Sequence, residues 1–179
     1  PNISDERGYT LDLGVRGQVS DMISWDASAF YLRYNDKIGE VLRSDEAPLY
    51  LPYRYRTNIA DAYTAGIEAV TDIDLTAMFW RGFGLPAIHW IINGTVLQGE
   101  YLSSDDPSID GNAVEYVPSY VLRTGLNVKE GGFRISLLFS FIGKQFSDAS
   151  NAEYTASAVS GSIPAYSVAD ITVGYTFGA

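Results

Sequence analysis

The sequence predicts an all-β chain, an antiparallel sheet forming part of a transmembrane β-barrel. Three observations carry that reading: a period-two alternation repeated seven times, connections that alternate between short and long, and aromatic residues at both ends of the alternating segments. No stretch approaches the ~18 unbroken apolar residues of a membrane helix, so any crossing here must be made by strands.

The segment 9–19 sets Tyr9, Leu11, Leu13, Val15 and Val19 against Thr10, Asp12, Arg16 and Gln18. Successive side chains of a strand point to opposite faces, so one face is apolar and the other polar. In 25–34, Trp25, Ala27, Ala29 and Tyr31 oppose Asp26 and Ser28. In 63–71, Tyr63, Ala65, Ile67 and Ala69 oppose Thr64, Gly66 and Glu68. A fourth strand is placed at 88–101. In 120–128, Tyr120, Leu122, Leu126 and Val128 oppose Arg123, Gly125 and Asn127. The sixth, 133–146, alternates most cleanly, with Phe133, Ile135, Leu137, Phe139 and Phe141 facing away from Arg134, Ser136, Ser140 and Lys144. In 166–177, Ile171, Val173, Tyr175 and Phe177 oppose Asp170 and Thr172, and Tyr166 falls on the polar side unless a bulge intervenes.

Alternation alone also suits a soluble sandwich. The connections favour a membrane barrel: 20–24 and 129–132 are short, 35–62, 103–119 and 147–165 are long, and 72–87 is middling. Short turns on one side and long loops on the other are the habit of transmembrane barrels. Strands leaving the long connections begin with Tyr9, Tyr63, Tyr120 and Tyr166. Those leaving the short side begin with Trp25, near Trp90, and with Phe133. Amphipathic rings settle at headgroup depth, so two aromatic belts are expected. The apolar faces are ~9–11 residues long, enough to span a bilayer when tilted.

Seven strands is an odd number, whereas single-chain bacterial barrels normally have an even one. An ascending strand is therefore expected before residue 1, and the chain reads as a piece of a larger barrel. A net charge of -10 leaves no basic stripe for nucleic acid. The absence of cysteine excludes disulfides and thiolate metal sites. His89, the only histidine, sits beside Trp90 at the expected short-turn end of a strand and reads as a pore-lining or interfacial residue. The acidic loop 104–112 lacks the regular ligand spacing and closing glutamate of an EF-hand. No nucleophile, phosphate-loop or zinc motif appears. No catalytic residue, metal site or cofactor is predicted, and the chain is not expected to be an enzyme.

Gln145-Phe146-Ser147-Asp148-Ala149-Ser150-Asn151, followed by Gly161-Ser162-Ile163-Pro164-Ala165-Tyr166, resembles the late barrel of TonB-dependent receptors, and within them the ferric dicitrate transporter group. There a Gln-Phe/Tyr-x-Asp-x-x-Asn stretch precedes a loop and Gly-x-Ile-Pro-x-Tyr/Phe. Asn58-Ile59 before Tyr63-Thr64-Ala65-Gly66-Ile67-Glu68 resembles the family's Gly-x-Glu strand entry, and Val117-Pro118-Ser119-Tyr120 its Pro-x-His/Tyr strand start. The resemblance implies about seven strands of a 22-stranded barrel, with the plug domain absent from these residues.

It further implies, in the outer membrane of a Gram-negative bacterium, uptake of a ferric chelate such as ferric citrate or another siderophore. The implied partners are outer-membrane lipid and, through the plug of the parent protein, TonB-ExbB-ExbD. A passive barrel of porin or adhesin type, or a soluble binding sandwich, is the alternative. Arg16, Glu68, Arg123, Arg134 and Lys144 line the polar faces, as expected of a hydrated channel wall, and Asp170 is a candidate partner for one of the arginines. The connection 42–56 interleaves Arg43, Arg54 and Arg56 with Tyr50, Tyr53 and Tyr55. Guanidinium groups bind carboxylates bidentately and phenols add donors, so Arg43, Tyr53, Arg54 and Arg56 are the candidate ligand contacts. An ordinary ordered loop near the headgroups is the plainer reading of the same residues.

Overall fold

In the computed structural model, residues 3–46, 48–154 and 160–177 are described. The strands are β1 Arg7–Val19, β2 Ile23–Ser44, β3 Pro52–Asp74, β4 Ala87–Ser104, β5 Tyr120–Glu130, β6 Phe133–Ile142, β7 Gln145–Phe146, β8 Ser162–Ile163 and β9 Tyr166–Tyr175, with one helix, α1 Leu75–Phe79. Seven strands form one antiparallel sheet in the order β1-β2-β3-β4-β5-β6-β9. Each strand pairs with its neighbour in sequence, and only the small β7-β8 pair stands apart. The sheet is an unclosed barrel fragment, with β1 and β9 at its edges.

Register places the apolar residues of all seven strands on one face. Leu13 lies opposite Ala29, Ala29 opposite Ile67, Ile67 opposite Val96 and Val96 opposite Tyr120. Farther down, Val19, Ile23, Ile73, Trp90, Leu126, Leu137 and Ile171 form a second continuous row. These side chains are bare, with Leu13 78% and Ile171 69% exposed. Such an apolar face is stable against hydrocarbon and costly in water.

Aromatic residues bound this face at both ends. Tyr9, Tyr31 and Tyr63 form a ladder, with ring centroids 6.2 Å and 5.9 Å apart. At the other end Trp25 lies over Gly17, where a Cβ would come within 2.8 Å of its ring. Trp90 donates its indole N–H to Thr124 Oγ1 at 2.8 Å, and Phe133 packs on Tyr175 at 4.5 Å. From Tyr63 to Ile73 a strand rises ~33 Å, which a tilt of ~40° reduces to the ~25 Å apolar band of a transmembrane barrel. Both belts slip along the rows from β1 toward β9, as tilted strands require.

Turn chemistry sets the short side. Glu130 pairs with Phe133 across the two-residue turn Gly131-Gly132, and Gly131 takes φ +54°, the left-handed conformation that tight hairpins need. The middling connection holds α1, whose first turn is capped by the Asp74 carboxylate accepting from Ala77 N at 2.8 Å. Among the described residues no helix is long and apolar enough to cross a membrane.

Four expectations change. The predicted connection 35–62 is mostly strand: β2 and β3 run 22 and 23 residues and rise past the tyrosine rim as a hairpin. Irregular register between Tyr34 and Ile38 separates this extension from the part below. Its Tyr-Arg alternation is itself a strand pattern, masked by its lack of an apolar face. The sixth strand ends at Ile142, and after Gly143, whose N–H still bonds to Tyr120 O at 2.9 Å, the chain leaves the sheet to form β7 with β8. Lys144 therefore lies beyond the wall, beside the long loops. Tyr166 needs no bulge: the β6-β9 register is unbroken from Phe133↔Tyr175 to Ile142↔Tyr166, which puts Tyr166 in the row of Ile142 and Val121, off the lipid face. Asp170 lies opposite Leu138, and no ion pair joins it to an arginine among the described residues. Of the last long connection, 155–159 lie outside the described residues.

The face assignment predicts that Leu13→Arg destabilises the folded full-length barrel by about 2–4 kcal/mol, the cost of a cation at the bilayer midplane. Asp12→Arg, one position away on the polar face, costs far less. Urea titrations in lipid vesicles compare the two, and equal costs would refute the assignment.

Candidate functional site

The four candidate contacts sit on the β2-β3 extension, closed by residues 45–51 with Asp45 N donating to Leu51 O at 3.0 Å. Register pairs Arg43 with Tyr53, Val41 with Tyr55 and Glu40 with Arg56. Directly opposed residues share a face, so Arg43, Tyr53 and Tyr55 lie on one side of the ribbon and Arg54 and Arg56 on the other. The structure therefore brings the candidates together in two pairs. The period of two that identifies strands divides them, and that division was readable from their odd and even positions.

The first face is an aromatic platform. The Arg43 guanidinium lies over the Tyr55 ring, 4.2 Å from its centroid, and Tyr53 meets Tyr55 edge-on with centroids 6.5 Å apart. Stacking fixes the plane of the guanidinium while leaving its N–H groups to other acceptors. No ion pair of Arg43 is found among the described residues. On the second face Arg54 Nη1 donates to Glu40 Oε2 at 3.1 Å. Its pKa is raised above the ordinary arginine value, chiefly by a hydrogen bond to Tyr116 and then by Glu40. Arg54 is thus committed to the protein's own groups.

Below the extension the remaining long connections fold into a cap. Ile59, Ala60, Ala62, Tyr101, Ile109, Val114 and Ala149 form the buried core of the described residues, with Tyr34, Val41 and Val117 against it. Tyr101 is fully buried and donates its hydroxyl to Glu115, whose carboxylate also lies 3.7 Å from Lys37 Nζ. Two asparagines tie loop to loop. Asn112 Nδ2 donates to Ala149 O at 2.9 Å, and Asn151 both accepts from Ala113 N at 2.7 Å and donates to Ala113 O at 2.9 Å. Asn151 takes φ +53°, a left-handed conformation that asparagine tolerates well. Lys144 pairs with Glu153 and lies 4.9 Å from the centroid of the Phe146 ring. Sequence reading missed this cap, since its members are scattered singly through polar loops.

The acidic loop satisfies itself. Asp106 Oδ1 accepts from Ser108 N and Oγ at 3.0 and 2.7 Å, and Asp110 accepts from Ser104 N at 2.7 Å. Among the described residues no cluster suited to a metal ion occurs. On the polar face of the sheet Glu68 accepts from Ser28 Oγ at 3.0 Å, while Arg16 lies opposite Asp26, Arg123 opposite Ser140 and Arg134 opposite Lys129. His89 lies on that face between two carboxylates, with Nδ1 2.8 Å from Asp72 and Nε2 4.0 Å from Asp74. No nucleophilic side chain is hydrogen-bonded to it among the described residues.

Residues 1–179 match the family model described as TonB dependent receptor-like, beta-barrel. No match is found among curated protein sequences. Among solved structures the chain is similar to the ferric citrate transporter FecA in its unliganded form, with TM-score 0.74 and 19% identity over 96% of this chain and 24% of that one. It is also similar to the ferric yersiniabactin uptake receptor FyuA from Yersinia pestis, with TM-score 0.64 and 21% identity over 95% and 22%. The copper transporter OprC gives TM-score 0.67 and 19% identity over 95% and 24%. The chain spans about a quarter of the length of these structures.

Two outcomes test the cap. Asn151→Ala removes both bonds to Ala113 and weakens docking of residues 143–154 by about 1–3 kcal/mol, read as lost hydrogen-exchange protection at the Ala113 amide. Acid acts on the same segment. Hydrogen bonding to Lys144 and Ser162 holds the Glu153 carboxyl below its ordinary value of 4.5. Its stabilisation is therefore complete above that value and is lost as pH falls through the lower folded value. Proteolysis of this segment accelerates below about pH 4.5, and Glu153→Gln removes Glu153's contribution to that dependence.

Proposed function

Because the chain belongs to the TonB-dependent receptor β-barrel family, we propose that it supplies wall and mouth to an energy-coupled outer-membrane importer of a metal chelate. The observation that carries this reading is the joint arrangement of the sheet. A lipid-type face between two aromatic belts is topped, on the long-connection side only, by a packed cap and a hairpin bearing a stacked arginine. Passive pores share the first feature and also carry long loops, so the weight rests on the stacked arginine that the hairpin bears.

In this reading the cargo is a ferric siderophore or a similar metal chelate. Transport draws on TonB-ExbB-ExbD through a plug in the parent protein, and the chain performs no catalysis. The contact face is that of Arg43, Tyr53 and Tyr55. Arg43 keeps N–H donors for a chelate carboxylate or hydroxamate oxygen, whereas Arg54 is held by Glu40 and Tyr116. Arg56, on the face of Arg54, is the weaker candidate.

The test uses the full-length protein in a strain lacking its other iron receptors. Uptake of radiolabelled iron is followed with ferric citrate, a ferric hydroxamate and a ferric catecholate, with and without TonB. Import of at least one chelate that vanishes without TonB supports the proposal, and equal entry in both strains identifies a passive barrel. For the imported chelate, Arg43→Ala weakens binding about tenfold or more, the worth of a hydrogen bond to a charged group. Arg56→Ala changes it by less than about threefold.

A further inference from the structure

The turn between β5 and β6 carries a like-charge pair that nothing among the described residues offsets. Lys129 and Arg134 lie directly opposite each other, and opposed like charges destabilise a strand pair. Their neighbours along the row are Ala87 on β4 and Gly174 on β9, too small and too apolar to neutralise either cation. Glu130 pairs with Phe133 on the other face, and no ion pair of Lys129 or Arg134 occurs among the described residues. The inner faces of β5 and β6 carry no carboxylate, whereas β1, β2 and β3 carry Asp12, Asp26, Glu68 and Asp72. Positive charge is therefore gathered at one end of one hairpin.

The same place holds a cleft of about 380 Å3 whose lining draws on residues from both faces of the sheet. It is lined by Lys129, Arg134 and Gly174 from the polar face, by Phe133 and Tyr175 from the lipid face, and by the Gly132 backbone at the turn. Gly132 lets the turn lie close against the end of β9: a Cβ there would meet Thr176 O at 2.6 Å and the Tyr175 ring at 3.0 Å. Phe133, Tyr175 and Phe177 pack in series, tilted and then edge-on, with centroids 4.5 and 4.7 Å apart, within the belt that marks headgroup depth. Long cationic side chains in the last row of a sheet can bend round its rim toward the interface.

We propose that this cleft at the short-turn rim binds the headgroup of an anionic phospholipid. Arg134 offers a fork to the phosphate oxygens and Lys129 a point charge, while Phe133 and Tyr175 flank the start of the acyl chains. An acidic polypeptide within the lumen would answer the same two cations. It would leave Phe133 and Tyr175, the belt aromatics in the same lining, unused, and their presence decides for lipid. The inference concerns the membrane contact of the barrel and stands apart from the identity of any cargo.

The experiment measures lipid retained on the full-length protein by native mass spectrometry, with phosphatidylglycerol and phosphatidylcholine as probes. The wild type retains phosphatidylglycerol in preference, and Lys129→Gln with Arg134→Gln together lower that affinity roughly thirtyfold. Arg16→Gln, at another lumen-side arginine, and Lys129→Arg both keep the preference. Salt titration of the wild type addresses the same point without substitution, the preference shrinking as ionic strength rises. Equal retention of the two lipids, or a preference insensitive to both salt and the double variant, overturns the proposal. Unchanged retention with raised conductance of the double variant in planar bilayers overturns it in favour of an acidic segment in the lumen.

Discussion

Every backbone N–H and C=O within hydrocarbon must find a partner in the protein, and the rest of this structure depends on that demand. It forces each spanning strand to pair along its full length, and short turns make the neighbour in sequence the neighbour in space. The order β1-β2-β3-β4-β5-β6-β9 is the result. Pairing also transmits the side-chain pattern. Once β1 sets Leu13 toward lipid, the unbroken registers carry the same sense to Ala29, Ile67 and Val96. Inward-facing positions are then free of packing demands, which is why carboxylates, arginines, serines and glycines collect there.

Above the tyrosine rim water returns and the demand relaxes. The chain there is held as soluble proteins are, by a small apolar core around the fully buried Tyr101 and by side chains that bond to loop backbone. Two solvents thus impose two architectures on one chain. The boundary is visible in the bulged register between Tyr34 and Ile38, where β2 leaves the membrane pattern without ceasing to be a strand.

That boundary also separates what was legible in the sequence from what was not. The strands of the wall were legible because Phe133, Ile135, Leu137, Phe139 and Phe141 alternate as one face of a strand, while the connection lengths and aromatic belts turned that face toward lipid. Tyr166 misled only as a belt residue, since its place at the strand start suggested the rim while its parity had already put it on the polar face, where the register has it. The extension of β2 and β3 was hidden because Tyr53, Arg54, Tyr55 and Arg56 alternate without an apolar face, water being present on both sides. The cap was hidden more deeply. Asn112 and Asn151 act through backbone groups far away in sequence, and no local pattern announces such a bond. For the candidate contacts, residue chemistry was readable and so was parity, yet the committed state of Arg54 depends on Glu40 and Tyr116 arriving from elsewhere.

The height of the hairpin has a consequence for how its tip can act. From Tyr34 to Ser44 the ribbon climbs on the order of 30 Å, several times the ~8 Å over which charge is felt in physiological salt. Arg43 is therefore electrically silent at the level of the tyrosine rim and can influence a solute there by touch alone. The ribbon does not stand alone, since Val41 packs on the buried core and Arg54 bonds to Tyr116, so the cap rises beside it and braces it. What Arg43 can touch is therefore set by the cap against which the ribbon rests.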